Sequence, residues 1–353
     1  FSVEYFDKRN KDLLFDVYNP LSAGATSTSS AESVITKNLG TISNRGVEIS
    51  ADMDVFKNKD WRINLGANIT FLKNKVTKLP EQNKDGIIDG TKKIVEGMDR
   101  YQFYTYTWEG INTANGFSLY KFNDEDYFFN VTDGDGNVTT YGDAENGKEI
   151  TGTNTNALVV IDGTPYSYLT TYGTREFHGS AIPTAYGSFH LNVSWKGLSL
   201  YTLFTYQLGG KVMDSNYRSL MSPSNTPYSA HADALNSWTY EQRTYTTENN
   251  VEVPVNAVDP NGTPVYSSAA VIPGLGSAPD LNATSSRWLI SASYLILKNI
   301  NLTYQLPKKL VKKIDLESVA LTVACENVFT KTSRKGMNPQ QNFAGTQSNT
   351  FVT

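Results

Sequence analysis

Trp61-Arg62-Ile63-Asn64-Leu65-Gly66-Ala67-Asn68-Ile69-Thr70-Phe71 sets an apolar residue at every odd position and a polar residue or glycine at every even one. Successive side chains of an extended chain point to opposite sides, so this stretch describes a strand with one apolar and one polar face. Upstream, Val47, Ile49, Ala51, Met53 and Val55 alternate with Glu48, Ser50, Asp52 and Asp54. Downstream the rhythm returns in Phe189, Leu191, Val193 and Trp195, then in Leu198, Leu200, Phe204 and Tyr206. It recurs in Tyr294, Ile296, Ile300, Leu302, Tyr304 and Leu306, and in Val319, Leu321, Val323 and Cys325. Strands of soluble sandwiches average about 5 to 6 residues. Several of these runs are about twice as long, as a tilted strand needs to cross a bilayer.

The connections sort by length. Short ones are expected at 56–60, at Lys196-Gly197 and between Pro307 and Asp315. Long ones follow Tyr18, run from Lys78 to Ala185 and run from Gly209 to Ser286. Long connections without regular structure argue against a compact soluble domain. With strands at 1–18, 34–55, 61–77, 186–195, 198–207, 287–306 and 316–330, every short turn falls at one end and every long loop at the other. Outer-membrane barrels have this asymmetry, with short periplasmic turns and long outer loops. Trp61 and Trp195 flank short turns, where an interfacial aromatic girdle places such rings. The expected fold class is therefore all-β, a portion of a large antiparallel transmembrane barrel.

Composition agrees. Mean hydropathy is -0.38, and no run supplies the roughly 18 to 20 consecutive apolar residues of a spanning helix. Alternating strands hide their apolar face from such averages. The chain holds 21 Tyr, 16 Phe and 5 Trp, a supply of rings suited to interfaces and ligand stacking. Its 31 basic and 35 acidic residues are interspersed, which argues against nucleic acid as a partner. One cysteine, Cys325, excludes an internal disulfide framework. The alternation is under way at Phe1, no targeting segment is present, and the strand count is odd, so the chain is expected to be a piece of a longer protein whose closing strand lies beyond it.

Several local patterns resemble the C-terminal half of SusC/RagA-type TonB-dependent outer-membrane transporters. The run from Asn38 to Glu48, with Gly40, Asn44, Gly46 and Val47, is similar to a strand signature of that family. The Trp61 strand ending in Lys73-Asn74-Lys75-Val76 fits, as do Ile182-Pro183, Gly187-Ser188-Phe189 and Gly209-Gly210-Lys211-Val212-Met213-Asp214. The most specific match joins Ser286-Arg287-Trp288-Leu289 to the run from Tyr294 to Pro307. Glu326-Asn327-Val328-Phe329 and Gly336-Met337-Asn338-Pro339 complete the order. The resemblance implies a barrel of 22 strands in a bacterial outer membrane, a plug domain, a TonB-binding segment and a SusD-like surface lipoprotein. The plug and closing strand are expected outside residues 1–353. The implied activity is energy-dependent import of oligosaccharides or peptides, with no catalysis.

Candidate sites are few. Asp133, Asp135 and Asn137 place oxygen ligands at alternate positions, as calcium loops do, although Val138 stands where such a loop needs glycine. A tight Asp-Gly turn accounts for the same residues. His178, His190 and His231 follow no metal-ligand spacing and are expected to be structural or solvent-exposed. Asn83 to Gly90 reads as a hairpin turn, and no nucleophile elbow, phosphate loop or dinucleotide fingerprint occurs. Tyr166, Tyr168, Tyr172, Tyr217, Trp238 and Tyr240 could stack on sugar rings, meet a partner protein, or pack the loops themselves. A competing function is a β-rich surface adhesin or glycan-binding module, which would bury Val47, Ile49, Ile63 and Leu65. A barrel instead turns these to lipid and lines its lumen with Glu48, Asp52, Arg62, Asn64 and Asn68.

Overall fold

The computed structural model describes residues 1–18, 34–221, 230–239, 242–246, 252–256, 272–273 and 279–334. Tyr240 and the 336–339 segment lie outside them. Seven long strands form one antiparallel sheet in chain order: β1 Ser2–Tyr18, β2 Val34–Lys57, β3 Trp61–Lys78, β4 Ala185–Trp195, β5 Leu198–Leu208, β6 Tyr294–Gln305 and β7 Ala320–Thr332. Each strand pairs only with its chain neighbours in this sheet, an up-and-down meander. The links 58–60, 196–197 and 306–319 join strands at one end; 19–33, 79–184 and 209–293 join them at the other.

The register carries the alternation across the whole sheet. Phe56 lies opposite Ile63, which is followed strand by strand by Val193, Leu200, Leu302 and Val323. A second row runs Trp61, Trp195, Leu198, Tyr304, Leu321. Much of this face is uncovered: Leu65 is 44% exposed, Leu302 43% and Val323 68%. A continuous apolar face of this extent is foreign to a water-soluble monomer and is what a barrel wall turns to lipid. The opposite face is polar, with Ser50, Asn68, Ser188 and Thr205 in one row. The sheet is a portion of a transmembrane barrel wall. Among the described residues no helix is long and apolar enough to cross a membrane.

Two expectations are corrected here. The stretch 287–306 is not one strand: Ser286–Trp288 is a 3-10 turn, Leu289–Ser291 a short strand, and the wall strand starts at Tyr294. A bulge between Leu297 and Asn299 then shifts the phase, since one extra residue swaps the faces. Tyr294 and Ile296 consequently lie opposite Gln207 and Thr205 on the polar face, while Leu295 and Leu297 take the apolar one. The long connections are also far from structureless, because much of their length folds into small sheets.

The chain divides into two compact units. The wall unit comprises 1–103, 179–213 and 290–353 and has a small core of Ile42, Val76, Leu79 and Ile94. The loop unit comprises 104–178 and 214–289. In it Leu158–Ile161, Thr164–Ser167, Ser118–Lys121 and Trp108–Ile111 form one sheet in that order. Tyr127–Thr132 pairs antiparallel with Val138–Gly142 and parallel with Lys148–Glu149. Phe122, Phe129 and Ile150 are buried beneath them, with Tyr127, Tyr141, Leu158, Val160 and Tyr172 packed around.

Candidate functional site

The polar face of the wall concentrates hydrogen-bonding groups on rigid strands. Arg62 Nε donates to Asp54 Oδ1 at 2.9 Å, and Asn64 Nδ2 donates to Asp52 Oδ1 at 2.9 Å. Asn68 exchanges two bonds with Ser188: its Nδ2 donates to Oγ at 2.8 Å, and its Oδ1 accepts the Ser188 N–H at 3.0 Å. Asp52, Arg62, Asn64 and Asn68 thus share one side, as the barrel reading requires. Nearer the other end of the same face, Asn74 Nδ2 donates to Asn44 Oδ1 at 2.7 Å, while the Arg45–Asp7 pair at 3.2 Å lies on the face of Val47.

At the centre is a bridge that spans three strands. Asp52 on β2, Gly66 on β3 and His190 on β4 are in register. His190 Nε2 lies 3.2 Å from Asp52 Oδ2 and 3.2 Å from Asn64 Oδ1. The imidazole and carboxylate meet over Gly66: a Cβ there would fall 2.1 Å from His190 Cε1 and 2.6 Å from Asp52 Oδ2. Glycine within a strand often marks such a close approach. His190, one of the three histidines that sequence reading expects to be structural or solvent-exposed, has its structural place in this polar network. The signal that could have found it is Gly66, at an even position where polar side chains otherwise stand.

In the loop unit, the Asp133 carboxylate closes its own turn. Oδ1 accepts the N–H groups of Asp135 at 2.9 Å and Asn137 at 2.8 Å, and Oδ2 accepts Asn137 Nδ2 at 3.0 Å. These bonds hold its carboxyl below the usual range. The loop is the tip of the Tyr127–Thr132 and Val138–Gly142 hairpin, with Gly136 at φ 83°. Among the described residues no group of three or more His, Cys, Asp or Glu side chains is placed to hold a metal.

The aromatic candidates are engaged by their surroundings. Tyr168 is buried, its hydroxyl accepting from Asn112 Nδ2 at 2.7 Å and Asn115 Nδ2 at 3.1 Å. Tyr172 meets Tyr127 edge-on at 5.3 Å. Tyr217 donates to Asp233 Oδ2 at 2.6 Å and packs against His231 and Trp288. Trp238 Nε1 donates to the Thr113 carbonyl at 2.8 Å, its ring over Gly116. Tyr166 is half-buried and pairs with Lys121 across the sheet. Sequence reading left aside the deepest part of this unit. Tyr120 is fully buried and donates to the Asp280 carbonyl at 2.7 Å, and burial pushes its hydroxyl up to about 12. Asp280 Oδ2 in turn accepts both the N–H and the hydroxyl of Thr170 at 2.7 Å. Arg287 lies 4.2 Å from the ring centre of Trp288 and 5.5 Å from that of Trp108, and burial lowers its guanidinium to about 10.

No protein-family model matches the chain. TonB-dependent receptor P3 of Formosa agariphila is 25% identical over 351 residues, covering 97% of this chain and 29% of that protein. TonB-dependent receptor P39 of the same organism is 22% identical over 360 residues, covering 96% of the chain and 30% of that protein. The chain therefore spans under a third of the length of either relative. Among solved structures, the RagAB peptide transporter aligns with a TM-score of 0.61 at 25% identity, over 96% of this chain and 30% of its own. The RagAB peptide importer in its closed-closed state aligns with a TM-score of 0.60, also at 25% identity, with the same coverage.

Proposed function

We propose, from the premise that this chain is a portion of the barrel of a SusC/RagA-type TonB-dependent transporter, that the whole protein imports oligomeric nutrients across a bacterial outer membrane. The observation that carries this reading is the seven-stranded wall, apolar and uncovered on one face and hydrogen-bonded on the other. The apolar face meets lipid, the polar face lines the passage, and the loop unit belongs to the outer side. A plug domain and a TonB-binding segment belong to the parts of the protein beyond this chain, and a SusD-like surface lipoprotein is its partner. The role is transport rather than catalysis.

Peptides are the cargo we favour. Two structural neighbours are described as a peptide transporter and a peptide importer. The tyrosines that would favour glycans are occupied in packing: Tyr168 and Tyr217 both use their hydroxyls within the loop unit. In this reading the Asp133 loop is a hairpin turn without an ion.

Paired cysteine labelling tests the wall in the full-length protein, with Cys325 replaced. Glu48 lies on the polar face and Ile49, opposite Ile69, on the apolar one. A membrane-impermeant reagent is expected to modify position 48 and spare 49. Protection of both in a protein that stays in the aqueous fraction would replace the transporter with the soluble binding module. Uptake of a labelled oligopeptide that persists after TonB is removed would end the energy-dependent reading. Uptake of oligosaccharide alone would reassign the cargo.

A further inference from the structure

The short-turn end of the wall has a chemistry that transport does not use. Lys57, Lys59, Lys196, Lys308, Lys309, Lys312 and Lys313 all stand exposed there, against the carboxylates of Asp60, Asp315 and Glu317. This excess of positive charge occurs in a chain whose net charge is -4. Trp61 and Trp195 stack at 5.6 Å beside it, in the apolar row of the wall. Leu310 and Leu316, 54% and 49% exposed, add apolar surface between the lysines of the last turn.

The lysines stand on a fixed rim. Asn58 Oδ1 accepts the N–H groups of Asp60 and Trp61 at 2.9 and 2.7 Å, closing the first turn. Lys196 and Gly197 both have positive φ, 44° and 90°, as a two-residue hairpin turn requires. Backbone bonds lace the turns together: Lys196 N–H to the Asp60 carbonyl at 3.1 Å, and Gln305 N–H to the Gly197 carbonyl at 2.8 Å. Between them is an open concavity of about 430 Å³, lined by Lys57, Lys59, Trp61, Trp195, Lys196 and Gln305. Lys196 Nζ is 3.9 Å from Asp60 and 5.6 Å from the Trp195 ring centre.

Stacked tryptophans at the end of a lipid-facing row mark the depth of the headgroups. Cations held at that depth face the phosphates of the adjacent leaflet, and each lysine near an anionic surface adds attraction that salt screens. We propose that this rim is a binding surface for the phosphate headgroups of anionic phospholipids in the leaflet at the short-turn side. It rests on the barrel reading.

The test uses full-length transporter purified in zwitterionic detergent. It is titrated with short-chain phosphatidylglycerol and with phosphatidylcholine of the same acyl length, and bound lipid is counted by native mass spectrometry. Phosphatidylglycerol is expected to be retained about tenfold more tightly. K59Q/K196Q and, separately, K308Q/K309Q/K312Q/K313Q are each expected to lose most of that roughly tenfold preference. Equal retention of the two lipids, or retention unmoved in both variants, overturns the proposal. Complete displacement by millimolar inorganic phosphate assigns the rim to free phosphate and also overturns it. A protein that forms no heat-modifiable barrel in detergent sinks the barrel reading and this surface with it. A folded barrel indifferent to lipid charge sinks the surface alone.

Discussion

Val323 in the wall unit is 68% exposed, whereas Phe122 in the loop unit is 2% exposed, although both residues take part in antiparallel pairings. Outside its small core the wall leaves aliphatic side chains such as Leu65, Leu302 and Val323 exposed and ties polar ones together. The loop unit buries rings and satisfies hydroxyls such as that of Tyr120 beneath them. One unit presents an apolar face outward, as a wall between lipid and lumen does, and the other turns its rings inward, as a domain in water does. Apolar residues therefore report burial only when the medium on each side is known.

The sharpest way to break this contrast is to exchange the rules. Trp288→Ala removes a fully buried ring at the centre of the loop unit. It should cost about 3–5 kcal/mol, seen as rapid proteolysis within 214–289 while the detergent-resistant barrel persists. Loss of barrel and loop unit together would show that the two do not have separate stabilities. Leu65→Arg, four residues along the strand from Trp61 and 44% exposed, puts a charge on the lipid face and should cost about 2–4 kcal/mol near the midplane, measured by denaturant titration in bilayers. A neutral result there would mean that the face does not contact lipid.

Gly66→Ala addresses the polar side. The new methyl would collide with His190 and Asp52, and a cost of about 1–3 kcal/mol is expected. Combining it with His190→Ala, which vacates the space, should recover most of that loss in the same unfolding assay. The smallest effect concerns Glu176, held below the usual carboxylate range first by Lys121 at 2.5 Å and then by the Thr107 hydroxyl. A lowered carboxylate favours the fold above its ordinary value near 4.5 and loses that contribution as pH falls through the folded value. Both partners are partly solvated, so Glu176→Gln should remove under about 1 kcal/mol at neutral pH and nothing once the acid is protonated.

What the sequence disclosed follows from the same contrast. A strand between lipid and lumen must alternate along its length, so β2 to β5 were legible from Val47, Ile63 and Phe189 onward, and their short turns with them. The phase shift at Lys298 was not, because Ile296 and Ile300 look interchangeable until pairing shows that one faces Thr205 and the other Thr202. Nor was the break before β6. Arg287 and Trp288 continue the alternation of polar and apolar residues, yet the Arg287 guanidinium lies over the rings of both Trp108 and Trp288 in the loop unit. The loop sheets use strands of only a few residues, such as Leu158–Ile161 and Thr164–Ser167, too short for periodicity to declare. At the candidate site, the polar lumen row was legible as a side of the strand, while the meeting of Asp52 and His190 over Gly66 needed the register.

The loop unit is assembled from two stretches, 104–178 and 214–289, with the β4–β5 hairpin of the wall encoded between them. An exchange that replaces either stretch alone would pair half of one buried interior with half of another, leaving Tyr120 without Asp280 or Trp108 without Arg287. The loop unit can therefore be transplanted only as a block running from 104 to 289, membrane hairpin included. A new loop unit has to travel with a piece of its own wall.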